Sequence, residues 1–294
     1  MINDKQYYLD IFKITEAQLQ SLIDQARFNG GDYADLYFEN TCCSDLLLRD
    51  GEVGSGGFNV DYGVGIRVLK GEKTGYAYSE STDYKSMLAA AKAAALRTRI
   101  RALFWDERAK AFANMYDRQT GRHDGVVDRY ANHLAILYGY VSDDEARHIA
   151  KSVLLNPKLR EIHTPFQRFW ELEALFQAGE GNRALEEIRG WWGDMIDQGA
   201  TSFWEYHEKG EKPPQSYAMY GRPYGRSWCH AWGAAPVWLL MRRTLGVVPT
   251  APGFATYEVV PELGTLEWVE GDVPTPHGKI HVRVERNRVE VRGA

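Results

Sequence analysis

Two short stretches of the 294-residue chain set groups capable of chemistry beside large rings. The first is Gly199-Ala200-Thr201-Ser202-Phe203-Trp204-Glu205-Tyr206, a carboxylate among aromatic side chains just after a helical pattern. Carboxylates act as general acids and bases in glycosyl chemistry and sugar rings stack on aromatic faces, so Glu205 with Trp204 suits one wall of a carbohydrate site. The second is Ser227-Trp228-Cys229-His230-Ala231-Trp232, where an imidazole lies between two indoles at the start of an apolar run. His230 is a candidate for lying in a site, with Trp228 and Trp232 beside Trp204 as candidate walls, and Trp192 of the Trp191-Trp192 pair is a candidate for the site rim. The bland alternative for each is packing: a histidine bonded to a core carbonyl, indoles filling the interior.

The elements that must position these groups fall in three stretches. All eight histidines and all nine tryptophans lie after residue 97, and 9 basic against 14 acidic residues fall in 1–96, so composition changes there. Residues 1–96 predict an α+β segment. Thr15 and Gln18 form a capping-box pattern ahead of Leu19, Leu22, Ile23 and Ala26 at helical spacing. Alternating runs follow, with turns expected at Asp50-Gly51 and Gly71, and a breaker-free helix begins after Asp83. The glycines of GEVGSGG, residues 51–57, lack a following Gly-Lys-Ser/Thr, so turns and bulges are expected there and not a phosphate loop.

From 97 to 249 the pattern is mainly helical, with Ser142 and Pro165 as start signals and an N-cap expected at Asp128. WCHAWGAAPVWLLMRRTLG, residues 228–246, is apolar nearly all round and predicts a buried helix. Residues 250–294 alternate and predict an antiparallel, sandwich-like β-domain, with Val282, Val284, Val289 and Val291 on one face and His277 in a turn.

Composition excludes several classes. The formal net charge of −5 and the lack of any Lys/Arg-rich stripe argue against a nucleic-acid partner. No apolar run has the length of a membrane span, and MINDKQYYLD lacks the basic and apolar parts of a signal peptide, so a cytoplasmic protein without membrane partners is expected. Cys42, Cys43 and Cys229 form no CxxC motif, and neither a disulfide nor a metal site is expected; no cofactor is called for.

GGDYADLYFEN, LRDGEV, GVGIRVLKGEKTGYAYS and the alanine-rich helix after them resemble the N-terminal region of the TldD/PmbA family of zinc metallopeptidases. The resemblance implies a peptidase-related module, but that family's zinc-binding HExxxH helix has no counterpart: the His207-Glu208 pair is followed by KGEKPP. LFWDERAKAF, TPFQRFWELEALFQAGEG, ALEEIRGWWGDMIDQGATSFWE, SWCHAWGAAPVWLL and LGVVPTAPGFATYEVVPELG resemble the C-terminal half of an α-L-rhamnosidase of glycoside hydrolase family 78. That second resemblance implies part of an (α/α)6 six-hairpin barrel, inverting hydrolysis of terminal α-L-rhamnosides, Glu205 as general base and His230 as a sugar contact.

An inverting pair needs a second, protonated carboxyl group roughly 6.5 to 9.5 Å away. In the family this acid comes from the first half of the barrel, which the peptidase-like segment replaces here, so impaired turnover is expected. Asp106-Glu107-Arg108 matches a later turn, and Glu107 is not assigned as the acid. The alternatives are a non-hydrolytic carbohydrate-binding remnant and a peptidase-related module without its zinc site. Self-association through an open half-barrel is also expected, because rings lining its inner face would be uncovered.

Overall fold

The computed structural model describes residues 4–49, 52–71, 73–211 and 218–293. They form two compact units, Met1–Trp105 with Tyr116–His123, and Asp106–Met115 with Asp124–Ala294.

In the first unit, α1 (Lys5–Phe12) starts where the Asp4 carboxylate accepts the Gln6 N–H. Its eight residues repeat too briefly for a helical period to be read in the sequence. α2 (Glu16–Arg27) opens on the expected capping box between Thr15 and Gln18, a device worth about 1 kcal/mol. β1 (Tyr33–Arg49), β2 (Glu52–Lys70) and β3 (Lys73–Ser79) form an antiparallel sheet in that order. Gly71 makes the expected β2–β3 turn at φ +54°, a left-handed conformation that favours glycine. Asp50-Gly51 lies outside the described residues. The GEVGSGG glycines belong mostly to β2, where pairing steps from Leu47–Ser55 to Leu48–Val53 and leaves Gly54 as a bulge.

α3 (Tyr84–Phe104) begins at the Asp83 N-cap, whose carboxyl is lowered to about 2 by hydrogen bonds from Ser81 and Ser86. The helix is continuous through residue 97. Its small residues let it lie close on the sheet: a Cβ at Gly75 would fall 2.4 Å from the Ala94 carbonyl oxygen. Leu22, Ile66, Val68, Met87, Ala91 and Ala94 centre the core of this unit.

After the two-residue strands β4 (Trp105–Asp106) and β5 (Ala111–Phe112), a small hairpin of β6 (Tyr116–Asp117) and β7 (Arg122–His123) returns the chain to the first unit. The second unit is helical at its centre. α4 (Arg129–Leu137) is capped by Asp128 as expected, and α5 (Asp143–Ile149) by a Ser142–Glu145 capping box. α6 (Pro165–Gln177) has Pro165 at its first turn, and α7 (Gly181–Asp197) follows. α6 is central and touches α4, α7 and α8 (Ala235–Leu239).

The expectation of a long buried helix over 228–246 is corrected. Residues 227–230 are not helical, Ala231–Gly233 is one 3-10 turn, and α8 covers five residues before a π turn over Leu240–Thr244. Pro236 supplies no N–H, so a helix cannot run through it from Trp228 with its bonds intact. Trp232, Val237, Trp238 and Leu240 are exposed, so the apolar run is not buried all round.

The C-terminal stretch gives a β8 (Val247–Pro249) and β9 (Tyr257–Val259) ribbon and an antiparallel sheet of β10 (Trp268–Thr275), β11 (Gly278–Glu285) and β12 (Arg288–Arg292). One cluster, including Leu245, Val247, Val273, Ile280, Val282 and Val284, joins them. Val289 and Val291 pair with Val284 and Val282 as the alternation implies, but on the edge strand they stay exposed. His277 sits in the β10–β11 turn, its N–H bonded to Thr275 Oγ1.

Buried charges tie the helices together. Glu171 on α6 takes Arg129 of α4 at 3.1 Å and Arg168 at 2.7 Å, and Arg168 also reaches Glu187 of α7 at 2.6 Å. Burial pushes the Glu171 carboxyl up while the two guanidiniums oppose it. Replacing Glu171 by leucine leaves two buried cations facing each other, and urea titration should find a loss of about 3–5 kcal/mol. The triple replacement Arg129→Met, Glu171→Leu, Arg168→Met should recover most of it.

His133 on α4 is fully buried, and burial lowers its pKa to about 4. Between this value and the ordinary 6.5 the unfolded chain binds the proton that the folded chain refuses, so stability falls as pH drops through that window. The full span corresponds to about 3 kcal/mol. His133→Leu should flatten the unfolding midpoint between pH 6.5 and 4, leaving the contribution of buried His207, whose pKa is also lowered.

Candidate functional site

The loop after α7 and the stretch before α8 run side by side. The Glu205 N–H donates to the Ser227 carbonyl at 3.0 Å, and the His230 N–H donates to the Phe203 carbonyl at 2.7 Å. Ser202 Oγ closes the same ribbon by donating to the Trp228 carbonyl. Backbone pairing therefore brings the two sequence-selected stretches together.

Glu205 is 8% exposed, and its side chain points into this junction. Its Oε2 accepts the Ser227 N–H at 3.0 Å and lies 4.0 Å from His230 Nδ1; its Oε1 accepts the Tyr220 hydroxyl at 3.1 Å. The bond to Glu205, then burial, raises the Tyr220 pKa. Tyr220 is itself exposed, on a turn with φ 54°. No spacing pattern in the sequence marks it.

The His230 ring stacks on Trp232 with centroids 4.0 Å apart and planes 25° apart. Trp232 in turn faces Phe166 at 5.8 Å, and Phe166 meets Trp170 edge-on at 6.4 Å. With Trp232 44% exposed and Phe166 also exposed, these rings make an open aromatic row beside the carboxylate. Phe166 and Trp170 were not among the sequence candidates, although their i, i+4 spacing on α6 was a usable signal.

Trp204, the candidate wall, and Trp192, the candidate for the rim, both lie in the interior. Trp204 is 2% exposed, its ring held against Trp228 at 4.5 Å and His207 at 5.7 Å. Trp192 is 5% exposed and its indole N–H donates to the Gly233 carbonyl at 2.9 Å, so it holds the turn after His230 from behind. An indole buried to that degree has no face to offer a ligand. Trp228 is half-buried. His163 is half-buried too, its carbonyl accepting the His207 N–H and its ring 5.7 Å from Tyr206.

Beneath the ribbon, His207 is fully buried and its Nε2 donates to Asp194 Oδ2 at 2.8 Å. Burial lowers the histidine pKa, opposed by Asp194, which favours the neutral ring. Desolvation would raise Asp194, but the Gly210 N–H and His207 outweigh it and its carboxyl is lowered. Glu208 takes the Tyr206 hydroxyl and Glu211 takes Arg226 at 3.0 Å. Among the described residues no group of three or more His, Cys, Asp or Glu side chains is arranged to hold a metal, and the three cysteines are free and exposed.

Most of the chain shares its fold with part of solved rhamnosidase structures. A solved GH78 family rhamnosidase of Bacillus sp. GL1 superimposes on 71% of this chain with a TM-score of 0.56 and 30% identity. An alpha-L-rhamnosidase from Dictyoglumus thermophilum superimposes on the same share with a TM-score of 0.51 and 20% identity, a likeness of fold. The chain spans only 23% and 22% of those two proteins. Residues 246–292 match the bacterial alpha-L-rhamnosidase C-terminal domain.

The first unit has a different relation. Residues 34–97 match PmbA/TldA metallopeptidase domain 1. Metalloprotease TldD homologs of Haemophilus influenzae (39% identity over 75 residues) and Buchnera aphidicola subsp. Acyrthosiphon pisum (29% over 93) align with 26% and 32% of this chain. The chain spans about a sixth of each, 16% and 17%. The matched residues contain no histidine, so they do not fit a zinc site of the histidine-glutamate type.

The Asp194–His207 pair anchors the ribbon to α7, and its removal has a defined cost. Asp194→Ala should leave a buried imidazole N–H unpaired and destabilise the chain by about 1–3 kcal/mol in urea, with a change in tryptophan emission. Asp194→Asn, which can still accept that bond, should lose less.

Proposed function

We propose that residues 97–294, as a partial barrel over 97–249 and a β-domain over 250–294, form a rhamnoside-binding site related to the α-L-rhamnosidases. In this reading residues 1–96 are an appended TldD/PmbA-like module. Glu205 is the base that would draw a proton from the attacking water, and His230 with Trp232 holds the sugar. The observation that carries the reading is the fixed carboxylate, pinned by the Ser227 N–H with the stacked His230–Trp232 pair beside it. The 30% identity to a GH78 family rhamnosidase adds support.

A base abstracts a proton efficiently only when the leaving group is protonated in the same step, and an inverting pair sets that acid roughly 6.5 to 9.5 Å away. The groups bonded to Glu205 are a tyrosine hydroxyl and a backbone N–H, and Glu208, Glu211 and Asp194 are each engaged by other side chains. This favours a crippled hydrolase or a sugar-binding remnant over an efficient enzyme. General acid catalysis contributes about 10² to 10⁴-fold, and an activated aryl leaving group needs least of it. The exposed row of Phe166, Trp232, Val237, Trp238 and Leu240 is a surface for self-association.

Turnover of an aryl α-L-rhamnoside should be weak, that of a rhamnose disaccharide undetectable, and Glu205→Gln should abolish what remains. Disaccharide turnover lost in Glu205→Gln would mean that another acid is present. A rhamnose titration followed by tryptophan fluorescence should saturate and be lost in His230→Ala; no saturable change in the folded parent chain would overturn the sugar site.

A further inference from the structure

The carboxylate of Glu205 is held from two sides by different kinds of group. Oε2 takes the Ser227 N–H at 3.0 Å with His230 Nδ1 4.0 Å away, while Oε1 takes the Tyr220 hydroxyl at 3.1 Å. Tyr220 reaches it from the tip of a tight hairpin. Met219 and Arg222 exchange both backbone hydrogen bonds at 3.0 Å, and the two residues between them, Tyr220 and Gly221, have φ of 54° and 72°. A turn with both central residues left-handed is normally built from Asn-Gly or Asp-Gly, because a larger side chain strains the backbone there. The chain also folds back closely behind the tip: a Cβ at Gly225 would lie 2.1 Å from the Met219 carbonyl oxygen.

Such strain persists where the surroundings hold it, and it gathers at ligand sites. Fixing Glu205 does not account for it, since the Ser227 N–H already pins the carboxylate and a buried side chain in a relaxed turn would pin it as well. Tyr220 is instead 73% exposed while its hydroxyl meets a residue that is 8% exposed, so it spans the boundary between solvent and the buried carboxylate. The direction of the bond decides what the phenol offers. An ionised carboxylate only accepts, so the one phenolic hydrogen goes to Glu205, and the lone pairs left on the tyrosine oxygen can only accept in turn. Bonding to a carboxylate makes that oxygen a stronger acceptor. The same bond raises the Tyr220 pKa, which keeps the phenol a hydroxyl.

Resting on the carbohydrate reading above, we propose that Tyr220 is a sugar-contacting residue that selects for a hydroxyl. Its oxygen accepts a hydrogen bond from one hydroxyl of the sugar held by His230 and Trp232, while its own proton stays on Glu205. An ether or carbonyl oxygen at that place has no hydrogen to give. A deoxy carbon leaves the tyrosine oxygen unpaired, so the site rejects a missing hydroxyl more sharply than a small change of shape.

Titration of the full chain with L-rhamnose and its 2-, 3- and 4-deoxy analogues, followed by tryptophan fluorescence, tests this in the parent and in Tyr220→Phe. The position is exposed, so the fold should survive, and circular dichroism checks that it does. Rhamnose should bind about tenfold more weakly to Tyr220→Phe. In the parent one deoxy analogue should lose about the same factor, and in Tyr220→Phe that deletion should cost nothing further, as a shared contact requires. Rhamnose binding unchanged in Tyr220→Phe overturns the role of Tyr220 and leaves the sugar site standing. Equal weakening of rhamnose and all three analogues also overturns it, because the tyrosine then only orients Glu205. A folded parent chain that binds none of these sugars removes the carbohydrate reading itself, and this inference with it.

Discussion

The second unit depends on charges that have left water. Arg129, Arg168 and Glu171 are nearly inaccessible, and each ion taken out of water costs several kcal/mol unless its partners are well placed. Here the partners come from three helices: α4 gives Arg129, α6 gives Arg168 and Glu171, and α7 gives Glu187. Sliding one helix by a turn would strand a charge, so the network fixes the helical register more sharply than apolar packing does. Apolar contacts tolerate a shift; a paired guanidinium does not.

That register reaches the candidate site through α7. One turn beyond Glu187 the helix presents Trp191 and Trp192, and then Asp194. Arg168 lies over the Trp191 ring at 5.7 Å, Trp192 holds the Gly233 carbonyl, and Asp194 holds His207. The ribbon that carries Glu205 and His230 is thus supported from below by a helix whose position is set by buried ions. A loop would otherwise place a carboxylate loosely, and loosely placed groups lose most of their effect on a reaction.

Much of this was legible in the sequence, for identifiable reasons. Capping residues act locally, so Thr15, Asp83, Asp128 and Ser142 mark their helix starts correctly. Alternation gave the β1–β2–β3 strands because one face must be apolar. Hydrophobicity misled where it had two meanings: Trp228 to Leu240 reads as one buried helix, yet Pro236 divides it and part of its apolar surface is open. The same ambiguity made Trp204 look like a wall and Trp192 like a rim residue, when both indoles are buried. Tyr220 was invisible because its meeting with Glu205 depends on a turn fifteen residues away in sequence.

The two family resemblances meet inside α3. The peptidase-like match ends at residue 97, while the helix runs on to Phe104. A helix interior is a tolerant place for such a junction. Once nucleated, a helix adds one backbone hydrogen bond for each residue it fixes, whatever the parentage of that residue, so continuing it strands no N–H or carbonyl. A junction within β2 would instead have shifted every later side chain to the wrong face for a slip of one residue. The packing demand ends early as well: the buried residues of α3 run from Met87 to Thr98, and beyond them the helix meets few constraints from its own sheet. The first unit can thus close its core on Leu22, Ile66 and Ala91 without using the rings and histidines that follow.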